Sequence, residues 1–111
     1  MMSKLIQIFF LSLMVSSSVT YATYGVVVAD DYKCKGDHML IETAYGYTLA
    51  ELYSGSLYED TYLYGDLHSY SFTNVYESES DYEAERNDIG YVYIDDYMES
   101  KSKALEWCFE K

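Results

Sequence analysis

A chain of 111 residues with 19 acidic and 7 basic side chains carries a net charge of −12. That balance argues against a nucleic-acid or anionic-membrane partner, because the surface would repel their phosphates. Half of the residues are hydrophobic, 15 are tyrosine and none is proline, so the composition excludes a disordered chain and the length admits one domain.

In chain order, residues 1–22 read as a secretory signal peptide. Lys4 supplies the charge of the n-region, and Leu5 to Val15 is an apolar run. Ser16 to Ala22 is a small, polar tail. The run is too short to span a membrane as a helix, which needs about 20 residues. Thr20 and Ala22 suit the −3 and −1 positions, so cleavage is expected after Ala22, with Val27 and Ala29 as a second site. Cutting 22 residues from 111 leaves an 89-residue domain, 23–111, and loss of Lys4 takes the net charge to −13. The expected location is secreted or periplasmic, with no stable membrane anchor after cleavage.

Thr23 to Asp31 reads as a flexible or edge-strand lead-in. Cys34 follows, then a turn at Gly36-Asp37. Across 38–53, Ile41, Tyr45, Leu49 and Leu52 share one helical face, and the Ala, Leu and Glu content favours a helix over 39–53. A pair of strands is the alternative reading. Gly55 and Gly65 mark breaks. Leu67 to Tyr76 alternates as a half-buried strand, with His68, Tyr70, Phe72 and Tyr76 on one side. Glu77 to Asp88 reads as a solvated acidic loop. Ile89 to Ile94 reads as a strand, and Ser100 or Ser102 can cap a last helix over 102–110. These elements predict an α+β fold: a small single domain with a short antiparallel sheet, two helices and one disulfide. An all-β small barrel is the alternative.

Cys34 and Cys108 are the only cysteines. Behind an export signal such a pair is expected to form a disulfide, and no CxxC or zinc spacing is present. No metal or cofactor is expected, since the acidic run at 77–85 lacks the glycine of a calcium loop and no metalloenzyme motif occurs. No catalytic residue is assigned. His68 is the one candidate base for a small secreted hydrolase, and no nucleophile elbow accompanies it.

Ser54-Gly55-Ser56-Leu57-Tyr58 fits the SGxxY motif and thus resembles the bacterial periplasmic lysozyme inhibitors. Tyr32-Lys33-Cys34 resembles the opening strand of that family's C-type branch. The resemblance implies a small, secreted, disulfide-bearing β-barrel, with Ser54 and Tyr58 at the binding site.

The expected function is that of an exported acidic protein that binds a cationic partner protein, such as an immunity protein or an inhibitor of a basic enzyme. The candidate partner-binding residues are Ser54, Tyr58, Tyr62, Tyr64 and Tyr70. Their rings serve either as recognition anchors or as the core itself. A tyrosine-rich structural surface protein is a further alternative.

Overall fold

The computed structural model describes residues 23–30 and 33–109. The expected signal peptide, Tyr32 and the last residue of the expected final helix lie outside them. Six strands form one antiparallel sheet: β1 (Thr23–Ala29), β2 (His38–Thr43), β3 (Gly46–Gly55), β4 (Tyr62–Gly65), β5 (Phe72–Val75) and β6 (Gly90–Glu99). Two short helices accompany them, α1 (Glu79–Ala84) and α2 (Lys101–Phe109).

The strand order is β4-β1-β2-β3-β6-β5. The two outer strands then meet. Tyr64 N–H donates to the Tyr76 carbonyl at 2.7 Å, and Tyr76 N–H to the Tyr64 carbonyl at 2.9 Å. This pair brings the sheet close to a barrel and covers backbone that an open edge would leave unpaired. The sheet dominates the domain, so the all-β expectation fits at least as well as the α+β one.

Four expectations are corrected. Residues 39–53 are not a helix but the β2–β3 hairpin, in which His38 pairs with Glu51 and Thr43 with Gly46. Gly46 (φ +127°) leaves the turn in a backbone region that suits glycine. The lead-in is no edge, because β1 pairs with β2 on one side and β4 on the other. The strand expected over 67–76 is confined to Phe72–Val75. Within 77–88, Ser78 starts α1, accepting from Asp81 N–H at 3.1 Å, a capping role suited to serine.

Alternation sorts each strand onto two faces. Val27, Met39, Ile41, Ala50, Leu63, Val75, Val92 and Ile94 point inward and pack with Leu57 and Leu67. This core is aliphatic, so the idea that tyrosines build the interior is overturned. Among the described tyrosines only Tyr76 is buried. On the outer face Leu40 and Leu49 receive Ala104 and Cys108 of α2. Ser100 caps that helix, as Lys103 N–H donates to its hydroxyl at 3.3 Å.

Cys34 and Cys108 are disulfide-bonded across 74 positions, with their Cα atoms 4.7 Å apart. Closing a loop of that length stabilises a fold by about 4 kcal/mol, which is large for a small domain. Lys35 N–H also donates to the Cys108 carbonyl at 2.9 Å, so the helix end is tied to the start of the hairpin twice.

The Ser54–Tyr58 stretch starts in the last residues of β3 and runs past its end. Gly55 has φ +94°, and a Cβ there would sit 2.5 Å from the Ile89 carbonyl oxygen. Leu57 enters the core, whereas Ser54 and Tyr58 remain exposed. Leu57→Ala should therefore cost about 2–5 kcal/mol in urea unfolding, whereas Tyr58→Ala should stay within about 0.5 kcal/mol of the parent. Equal losses at the two positions would contradict this orientation of the segment.

Candidate functional site

The polar groups with the most perturbed environment lie where α2 crosses the outer face of the sheet. His38 opens β2 and Glu51 stands opposite it on β3. Asp95 comes from β6, where the register to β3 shifts between Leu49 and Ala50. That irregularity leaves Asp95 without a Cα partner between Ile94 and Asp96 and delivers an additional carboxylate beside Glu51. A cavity of ≈ 510 Å³ opens here, lined by His38, Glu51, Asp95, Lys103, Glu106 and Trp107 among others.

A ring nitrogen of His38 and one carboxylate oxygen each of Glu51 and Asp95 lie within 4.8 Å of one another. Trp107 stacks on the His38 ring, with centroids 3.9 Å apart and planes 10° from parallel. The imidazole is thereby held in one orientation. Its Nδ1 is buried and has no hydrogen-bond partner among the described residues.

Electrostatics follow from the crowding. Burial, a hydrogen bond shared with Glu51, and the charges of Glu51 and Asp96 push Asp95 up to about 7. Next to it the pattern is reversed. A hydrogen bond from Glu99 holds Asp96 below the ordinary carboxylate range, with help from Tyr97 N–H, the Tyr70 hydroxyl and Lys103. The same bond raises Glu99. Tyr70 Oη donates to Asp96 Oδ1 at 3.1 Å, so one of the expected recognition tyrosines borders this acidic strip.

The other expected site residues are scattered. Tyr62 and Tyr64 pack with Tyr24 on the β1–β4 surface, whereas Tyr70 packs against Tyr97. Ser54 lies near the end of β3 and Tyr58 just beyond it. A third ring cluster, which sequence reasoning passed over, joins Tyr53, Phe72, Tyr91 and Tyr93 across β3, β5 and β6.

His68 lies between Tyr45 and Tyr97. Burial lowers its pKa, against an opposing pull from Asp66. Its Nε2 is 3.3 Å from Thr43 Oγ1, and that hydroxyl donates to the Gly46 carbonyl at 2.9 Å. With the Thr43 hydroxyl hydrogen directed at Gly46, the His68 ring is the donor in this contact.

Sequence reading missed His38, Glu51 and Asp95 as a group. The three lie far apart in the chain, and only the β2–β3 and β3–β6 pairings bring them together. No protein-family model, no curated protein and no solved structure matches the chain.

Asp95 gives a pH prediction. Its folded pKa lies above the unfolded value of about 3.9, so between about pH 4 and 7 the folded state keeps a proton that the unfolded state has lost. Stability should fall as pH rises through that window and stay reduced above it. The charged groups facing Asp95 are Glu51 on β3, Asp96 on β6, and Lys103 and Glu106 on α2. In chelator-treated buffer, Asp95→Asn should raise the urea midpoint at about pH 8 and leave it little changed near pH 4. A variant that is destabilised equally at both values would contradict the assignment.

Proposed function

We propose that the protein acts outside the cytoplasm as a binding protein for a cationic protein partner, an immunity protein or an inhibitor of a basic enzyme being the kinds that fit. The observation that carries this reading is the placement of the rings. The core is complete without them, yet Tyr45, Tyr53, Tyr58, Tyr62 and Tyr70 are each more than half exposed. Such rings offer large contact area at low entropic cost and receive Lys and Arg side chains on their faces. Around them the net charge of −12 favours a basic partner and speeds its encounter. Export agrees with the disulfide, which persists in oxidising compartments.

Cleavage after Ala22 would keep the whole of β1, whereas cleavage after Ala29 would remove a strand that pairs on both sides. The proposed cleavage takes the first position, which leaves β1 intact.

A second, narrower reading is a periplasmic inhibitor of lysozyme. It is favoured by the near-closed sheet and by the Ser54–Tyr58 stretch at the end of β3, where Leu57 is buried while Ser54 and Tyr58 stay exposed.

Binding to a panel of basic enzymes, a c-type lysozyme among them, tests both readings. The association rate should fall as salt rises from low to physiological levels, where exposed charges are screened over about 8–10 Å. Truncating an anchor, with Tyr58→Ala, Tyr62→Ala and Tyr70→Ala as the trial set, should weaken binding by about 2 kcal/mol or more at one position at least, with the melting temperature unchanged. Binding that ignores both salt and all three truncations would overturn the general reading. Tight binding to another basic enzyme with none to lysozyme would overturn only the second.

A further inference from the structure

We propose that His38, Glu51 and Asp95 form a site for one divalent transition-metal ion, zinc being the best match, independently of any protein partner. The three side chains come from adjacent strands β2, β3 and β6, and they offer one nitrogen and two oxygen donors within 4.8 Å of one another. Zinc holds nitrogen and oxygen ligands at about 2.0–2.2 Å, which places donor atoms about 3–4 Å apart. The side chains need to close by only about an ångström.

Two features point to a ligand beyond the clustering of acids. The buried Nδ1 of His38 lacks a partner among the described residues, and an unsatisfied buried polar atom is costly enough to be rare in a native fold. Trp107, stacked flat on the same ring, fixes the imidazole as a supporting side chain fixes a metal ligand. Two carboxylates also face each other on a partly buried surface, an arrangement that a dication relieves.

The donor set selects the ion. Imidazole suits zinc, cobalt and nickel, and the absence of thiolate disfavours soft ions. Calcium requires six to eight oxygens, which this site does not supply. The cavity of ≈ 510 Å³ in front of the three residues leaves room for water to complete the coordination. Of the nearby cations, Lys103 attracts Asp96 and Glu99.

Trp107 is the only tryptophan in the chain, so the site carries its own reporter. The purified protein with its disulfide intact is titrated with cobalt(II) at about pH 7.5 while tryptophan fluorescence is followed. Saturable 1:1 quenching, reversed by zinc and not by millimolar calcium, is expected. Glu51→Gln and Asp95→Asn, which keep side-chain shape, should each weaken zinc binding about tenfold or more in calorimetry. His38→Ala should do the same, and His68→Ala should leave it unchanged. Absence of a saturable 1:1 event, calcium competing as well as zinc, or zinc affinity retained in the Glu51→Gln/Asp95→Asn double variant would overturn the proposal.

Discussion

The structure depends on the register of the β2–β3 hairpin. Pairing His38 with Glu51 and Leu40 with Leu49 points Met39, Ile41 and Ala50 into the barrel and sets Leu40 and Leu49 under α2. A slip of one residue would exchange the two faces of a strand. The interior would then receive His38 if β2 turned over or Glu51 if β3 did, and the helix would lose part of its apolar seat. The same register places the imidazole beside Glu51, and the shift in the β3–β6 pairing adds Asp95 to them. The disulfide reinforces it by holding the end of α2 beside the residues that lead into β2.

Outside this frame the division of labour between side chains is sharp. Small and branched aliphatics fill a narrow six-stranded enclosure, where a tyrosine ring would leave its hydroxyl without a partner. The rings are displaced to the outer surface and pair across neighbouring strands, as Phe72 does with Tyr91 and Tyr93. Cross-strand aromatic pairs strengthen a sheet, so these rings serve the fold and still present faces to solvent. In a chain this acidic, those faces are the places where apolar contact and charge attraction act on one partner together.

Much of this pattern was legible in the residues, and what was not has identifiable causes. The alternation over 67–76 separates buried Leu67, Thr73 and Val75 from exposed Tyr70 and Phe72, but alternation alone does not say which side is buried, and only 72–75 pair as a strand. The disulfide followed from two cysteines, and Ser100 was recognisable as a cap. The hairpin was misread because the turn at Ala44-Tyr45 changes parity: inward residues are odd-numbered before it (39, 41, 43) and even-numbered after it (48, 50, 52). Across such a switch Ile41, Tyr45, Leu49 and Leu52 mimic a helical stripe. Helix α1 escaped notice because none of its residues is buried, so it has no apolar period to detect. The candidate metal-binding cluster draws on three strands and on a local shift of register at Asp95, none of which has a signature in linear spacing.

Nuclear Overhauser contacts between backbone protons across 38–53 test this account most directly. The account predicts cross-strand contacts that link His38 with Glu51, Leu40 with Leu49 and Glu42 with Tyr47. Contacts of His38 with Ala50 or Leu52 instead, marking a one-residue slip, or a run of i,i+3 contacts along 39–53, marking a helix, would contradict it.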